Sequence, residues 1–141
     1  SEVAVGYSTV YGDMVGGFSV LKDVPKTLVY KIANEINYKK EIVPKRIIER
    51  PPSAELSKNQ TDQDNLPDYD ILDEVLDLYI EKNQSPQAII KKGFSAQIVK
   101  KVVKLVNANE FKRRQAAPGP KVTNKAFGKD RRYPITSKYK P

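Results

Sequence analysis

Apolar and polar positions follow a helical rhythm over much of the chain. The clearest stretch comes after Pro67. There Ile71, Leu72, Val75, Leu76, Leu78 and Tyr79 share one face, opposed by Asp70, Asp73, Glu74 and Asp77, the spacing of an amphipathic helix. A second such pattern follows Ser95, where Ile98, Val99, Val102, Val103, Leu105 and Val106 are apolar and Lys100, Lys101 and Lys104 face water. Ser95 is placed to cap it. Between the two, Ser85-Pro86 opens a short helix carrying Ala88, Ile89 and Ile90, which Gly93 ends. Upstream, Leu28, Val29, Ile32, Ala33 and Ile36 predict a helix to about residue 37, with Asp23 as its cap and Pro25 in its first turn. Pro44 opens a short turn of structure over Ile47 and Ile48. Residues 1–11 read as the end of a helix that Gly12-Asp13 stops, with Val3, Ala4, Val5 and Tyr7 supplying its apolar surface. Gly16-Gly17 marks a loop.

Two regions break the rhythm. Phe18, Val20 and Leu21 form an apolar run long enough for one brief strand. A lone strand leaves its backbone groups unpaired, so its partner must come from other sequence. Residues 50–67 are polar with little periodicity, and loops of that length are functional or disordered. From Pro118 onward Pro118, Gly119, Pro120, Gly128 and Pro134 interrupt every pattern, which predicts an extended tail packing on something or awaiting a partner. The expectation is a mainly α chain with one or two short strands.

Composition narrows the chemistry. The 141 residues contain no Cys and no His. Thiolate nucleophiles, disulfides, histidine bases and the usual zinc and copper sites are excluded. A metal must then be held by oxygen, which favours Mg²⁺ or Ca²⁺. No apolar run approaches the roughly 18 residues of a membrane span, and no signal peptide is visible. The chain opens at Ser1 without an initiator Met, as a segment from within a longer protein would.

The net charge of +8 is uneven. Residues 110–141 hold ten basic residues, Lys112, Arg113, Arg114, Lys121, Lys125, Lys129, Arg131, Arg132, Lys138 and Lys140, against Glu110 and Asp130. The body before them is neutral. A basic tail on a neutral body points to nucleic acid, a phosphate-bearing ligand or an acidic surface.

Three groups can carry chemistry. Glu2 and Asp13 bracket the first helix and its following loop, where solvated carboxylates are the ordinary outcome. The long loop carries Glu55, Asp62 and Asp64 among the hydroxyls of Ser53, Ser57 and Thr61, a mixture suited to Mg²⁺ shared with phosphate oxygens. Lys112-Arg113-Arg114 ends a helix, where cations complement the dipole, and guanidinium forks suit phosphate or carboxylate. No glycine-rich phosphate loop of the Walker type occurs.

The run from Ser1-Glu2-Val3-Ala4-Val5-Gly6-Tyr7-Ser8-Thr9-Val10-Tyr11-Gly12-Asp13-Met14, through Gly16-Gly17-Phe18 and Leu21-Lys22-Asp23-Val24-Pro25-Lys26-Thr27-Leu28-Val29-Tyr30, resembles the NAD+ synthetases. The likeness resumes at Arg50-Pro51-Pro52-Ser53-Ala54-Glu55-Leu56, Gln60-Thr61-Asp62 and Leu66-Pro67-Asp68-Tyr69-Asp70-Ile71-Leu72-Asp73. It closes with Glu110-Phe111-Lys112-Arg113-Arg114-Gln115-Ala116-Ala117-Pro118-Gly119 and Ala126-Phe127-Gly128 through Arg131-Arg132-Tyr133-Pro134-Ile135. It covers nearly the whole chain in order, and the long basic tail resembles the glutamine-dependent branch more than the ammonia-dependent one.

The resemblance implies the C-terminal portion of an α/β domain of the ATP-pyrophosphatase type, adenine nucleotide alpha hydrolase-like, working as a cytoplasmic homodimer. Residues 1–115 would belong to that domain, with an active-site loop over 50–67, and 116–141 would form the basic tail. Such enzymes use ATP and Mg²⁺ to adenylate nicotinic acid adenine dinucleotide, releasing pyrophosphate. Ammonia, supplied from glutamine by a nitrilase-like domain, then gives NAD+ and AMP. By residue, the resemblance implies Glu2 for Mg²⁺ and ATP, Asp13 on the dinucleotide side, and Lys26 on ATP phosphates. Ser53, where the family often has Thr, would act from the loop that closes over ATP. Glu55, Asp62 and Asp64 lie in that same loop, and Lys112 near the reacting groups and the dinucleotide. The family's Ser-Gly-Gly-x-Asp-Ser loop, which grips pyrophosphate, is not among these residues, so the isolated chain is expected to be inactive. The rival reading is a helical nucleic-acid-binding module, with Lys112, Arg113, Arg114, Arg131 and Arg132 on phosphates and Tyr133 and Tyr139 stacking on bases. The family reading expects no nucleic acid and no membrane as partners.

Overall fold

The computed structural model describes residues 1–126 and 130–137. Phe127, Gly128, Lys129, Lys138, Tyr139 and Lys140, which enter the resemblance, the charge count or the nucleic-acid reading, lie outside the described residues.

The core forms where the apolar patterns are strongest. Helix α4 (Tyr69–Leu76) runs on into a wider, π-helical turn over Asp77–Glu81. Together these bury Tyr69, Leu72, Val75, Leu76, Leu78, Tyr79 and Ile80. Helix α6 (Ala96–Ala108) buries Val99, Val102, Val103 and Val106 against them. Between the two lies α5 (Pro86–Lys91), whose Ser85 Oγ accepts from the Ala88 N–H at 3.2 Å and whose Ile89 is fully buried. Gly93, with φ at +103°, turns the chain after it. Ser95 stands at the N-cap of α6 but makes no side-chain cap bond. Helix α7 (Glu110–Gln115) follows α6 after a break at Asn109.

The first helix is shorter than its pattern predicts. Helix α1 (Glu2–Val5) stops at Gly6, whose φ of +70° is a left-handed C-cap. A tertiary contact accounts for this. The Asn109 side chain presses on Gly6 so closely that a Cβ there would lie 2.2 Å from Asn109 Cγ. Asn109 Nδ2 donates to Val5 O at 2.8 Å, and Lys112 Nζ donates to Gly6 O and Ser8 O at 2.8 and 3.0 Å.

Helix α2 (Lys26–Ile36) begins at Pro25 rather than under Asp23. Its first free N–H groups find distant partners: Lys26 N donates to Ser1 Oγ at 2.7 Å and Thr27 N to Asp73 Oδ2 at 2.9 Å. Asp23 instead accepts from Val122 N, Thr123 N and Thr123 Oγ1, so it ties down the tail. The apolar positions Leu28, Ile32 and Ile36 stay exposed. Helix α3 (Lys45–Glu49) buries nothing.

The strand expected at residues 18–21 does not form. Among the described residues there is no strand, only an isolated bridge at Arg131. Phe18, in irregular chain, and Val20 and Leu21, in a turn, are exposed, and Ser19 N donates to Pro118 O at 2.8 Å. Without a neighbouring strand to pair its backbone, the run has no sheet to join.

The described part of the tail packs on the body. Lys22 Nζ donates to Ala117 O at 2.8 Å, and Glu81 accepts from Lys125 N. Gly119 passes so close to Ser19 O that a Cβ would lie 2.2 Å from it. Tyr133 stacks on Tyr79 with centroids 6.3 Å apart, and Arg131 lies over both rings.

Candidate functional site

Four side chains distant in sequence meet at the N-terminal end of α2. Lys26 Nζ donates to Glu2 Oε1 at 2.9 Å. The Tyr69 hydroxyl donates chiefly to Asp62 Oδ2 at 2.6 Å and also lies 3.3 Å from Glu2 Oε1. The Lys26 ammonium sits 5.5 Å from the centre of the Tyr69 ring, within cation–π range. Asp62 reaches the cluster from a 3₁₀ turn, Asp62–Asp64, in the long loop.

Two of these placements oppose stability. A lysine in the first turn of α2 meets the positive end of the helix dipole. Asp62 is 4% exposed, and its Oδ1 has no protein hydrogen-bond partner among the described residues. A buried carboxylate oxygen left in this way calls for an explanation beyond packing. The charges adjust to one another. Burial pulls the Lys26 ammonium down, but the hydrogen bond and charge of Glu2 outweigh it and leave Lys26 above its ordinary value. Burial pushes Glu2 up, and Lys26 more than reverses this, so Glu2 sits below the usual carboxylate range. Burial first, and then the bond to Asp62, hold the Tyr69 phenol far above its ordinary value. It is a hydrogen-bond donor at any physiological pH.

A groove of about 460 Å³ opens beside Tyr69, between α2 (Thr27, Tyr30, Lys31, Asn34) and the loop residues Pro52 and Gln63. A smaller cleft of about 110 Å³ lies under the tail, between Asp23, Asp73 and Thr123.

The long loop divides into two parts. Its second half is fixed: Asp62 N donates to Pro52 O at 2.8 Å, Gln60 Nε2 to Tyr7 OH at 3.3 Å, and Leu66 is buried in the core. Asp64 closes the 3₁₀ turn by accepting from Thr61 N and Thr61 Oγ1. The first half stands in solvent. Ser53 Oγ accepts from Glu55 N at 3.0 Å, and Glu55, at φ +54°, pairs with Arg50. Asp13 is exposed, its carboxylate held below the ordinary range by the backbone N–H and the hydroxyl of Thr9.

Of the residues singled out in the sequence, the structure brings together Glu2, Lys26 and Asp62. Ser53, Glu55 and Asp64 bond within their own loop, Asp13 within its own turn, and Lys112 to the carbonyls after α1. Within the basic triplet, Arg113 is turned inward and serves the fold. Arg113 is buried, 5% exposed, beside Glu110 at 2%. Its guanidinium donates to Glu110 Oε2, Ala4 O and Val106 O, and Arg114 Nε holds the other Glu110 oxygen at 3.0 Å. This is an internal clamp joining α1, α6 and α7. Tyr133 is likewise no base-stacking platform, since Tyr79 and Arg131 take its faces. The sequence marks Tyr69 only within the stretch that carries the resemblance. The one signal for it was its place at the start of the strongest helical pattern, where an aromatic with a polar tip suits a core edge.

Comparison with known proteins identifies the family. The NAD synthase family model matches residues 1–116. The chain belongs to the NAD synthase family. It is 56% identical to the glutamine-dependent NAD(+) synthetase of Acinetobacter baylyi, covering all of this chain and 26% of that protein. With the Aquifex aeolicus enzyme of the same name it is 55% identical over 99% of the chain and 24% of the relative. A solved glutamine-dependent NAD+ synthetase from Acinetobacter baumannii, in complex with ADP, matches at 47% identity and TM-score 0.49, over 95% of this chain and 23% of that one. The chain therefore spans about a quarter of the length of the relatives it matches. Among the described residues, no helix is long and apolar enough to cross a membrane.

Proposed function

We propose that this chain supplies the loop side and part of the ATP side of a glutamine-dependent NAD+ synthetase. In that enzyme nicotinic acid adenine dinucleotide is adenylated by ATP–Mg²⁺ and then amidated by ammonia drawn from glutamine. The observation that carries the reading is the pairing of Glu2 with Lys26 at 2.9 Å, in a chain whose family match spans residues 1–116. The resemblance gives these two residues to Mg²⁺ and to ATP phosphate, and the fold brings them together from 24 positions apart.

The residues present fit Mg²⁺. Glu2 is an oxygen donor with its side chain 34% exposed, and Mg²⁺ bound with nucleotide needs only one or two protein carboxylates beside phosphate oxygens and waters. When bound, the ion would neutralise phosphate charge. Lys26, already a fixed cation, would meet a phosphate oxygen as a point charge. The solvent-facing half of the loop, with Ser53, would fold over the nucleotide and exclude water, which protects an acyl-adenylate from hydrolysis. Asp13 and Lys112 would serve the dinucleotide side. Residues 1–115 would belong to the synthetase domain and 116–141 would fasten its outside. The parent enzyme would be a cytoplasmic homodimer.

The test uses the full-length protein that contains this segment, given nicotinic acid adenine dinucleotide, ATP, Mg²⁺ and either glutamine or ammonia. NAD+ and AMP should appear in equal amounts, while the 141-residue chain alone should give none. Failure of the full-length protein to form NAD+ from either nitrogen source would overturn the reading. The nucleic-acid alternative is not favoured, because Arg113 and Tyr133 are occupied inside the fold.

A further inference from the structure

Tyr69 joins three things that the family reading treats separately: the lysine, the metal-facing glutamate and the long loop. Its ring bears the Lys26 ammonium. Its hydroxyl reaches Glu2 Oε1 and donates at 2.6 Å to Asp62. Asp62 in turn holds the loop by its backbone, through Pro52 O and the 3₁₀ turn that leads to buried Leu66. Asp62 is buried; among the described residues its Oδ2 accepts from Tyr69 and its Oδ1 has no hydrogen-bond partner. Removing that hydroxyl leaves a buried carboxylate with no donor, the costly half of the hydrogen-bond asymmetry. The second half of the loop would then gain by pulling Asp62 out to water.

We propose that Tyr69 is a positioning residue, a latch that pins the Asp62 end of the loop to the Glu2–Lys26 pair and sets the direction of the Lys26 ammonium. This role rests on the reading of Lys26 and Glu2 as the ATP-facing residues. Tyr69 itself touches no reacting atom. It gives the loop a fixed hinge end, so that closure is a motion of residues 53–59 alone, and it holds Lys26 over a ring face rather than free in solvent.

The test compares Tyr69→Phe and Asp62→Ala in the full-length protein. Phenylalanine keeps the ring, and so the packing and the cation–π contact, and removes only the donor. Amide hydrogen exchange over residues 60–66 should quicken about tenfold or more, the size of one hydrogen bond to a charged acceptor. Exchange over α4 and α6 should stay as in the wild type, which separates a latch from general destabilisation. In turnover, kcat should fall about tenfold while KM for ATP stays within about twofold. Asp62→Ala, which removes the acceptor, should do the same, and the double variant should cost no more than the larger single change, since both break one contact. Wild-type exchange at 60–66 in Tyr69→Phe, or an additive double variant, would overturn the latch. If wild-type protein makes no NAD+, the functional reading fails, and the exchange measurement still decides the latch.

Discussion

Replacing Arg113 by methionine tests whether this member of the basic triplet holds ligand or holds the fold. The guanidinium is 5% exposed and donates to Glu110 Oε2, Ala4 O and Val106 O. Methionine fills much of the volume and removes every donor. Glu110 would keep only Arg114, at 3.0 Å, and two helix carbonyls would lose a partner. Removing one member of a buried ion pair costs about 3–5 kcal/mol, and the two carbonyls place this case toward the upper end. At about 1.4 kcal/mol for each tenfold change, amides whose exchange depends on this clamp should lose protection by roughly 10²-fold or more. Those of Val102, Val103 and Val106 in α6 are the ones to follow, in the full-length protein, by hydrogen exchange and mass spectrometry. Changing Glu110→Gln as well should recover part of the loss, because no half-paired carboxylate remains inside. Unchanged protection together with a weakened KM for ATP would refute the clamp and return Arg113 to the anion site.

Lys26→Ala in the full-length protein should lower turnover by about 10²-fold or more, the scale of one lost electrostatic contact to transition-state charge; unchanged kinetics would remove Lys26 from the phosphate site. Without nucleotide, exchange in the long loop should be fastest over residues 53–59 and slower over 60–66, where Asp62 and Leu66 are anchored. ATP–Mg²⁺ should slow the first half, and slow exchange throughout the free loop would defeat its part as a lid. Burial, and then the nearby Tyr79, push the Tyr133 phenol up to about 12. Its protonated form is therefore favoured in the folded tail, which gives stability that is full below about pH 10 and is lost as pH rises through about 12. Tail protection should decline across that window, and Tyr133→Phe should flatten the decline.

Much of the helical skeleton was legible because amphipathic spacing is local. Helices α4, α5 and α6 lie where Ile71 to Tyr79, Ala88 to Ile90 and Ile98 to Val106 predicted them, since each buries one face against the others. The roles proposed for Glu2 and Lys26 came only from resemblance, because a lone glutamate and a lone lysine look like surface charges in any sequence. What the sequence could not decide was set by contacts between distant residues. Gly6 ends α1 because Asn109, more than 100 positions away, presses on it. Asp23 serves the tail, not α2, because Thr123 reaches it. The run at 18–21 is no strand, since strand formation needs a paired neighbour. Arg113, one of three basic residues in a row, was indistinguishable from its neighbours until α7 turned it inward onto Glu110 and the ends of α1 and α6. Local periodicity fixes which face of a helix is apolar; only the packed fold fixes which charges must find their partners inside.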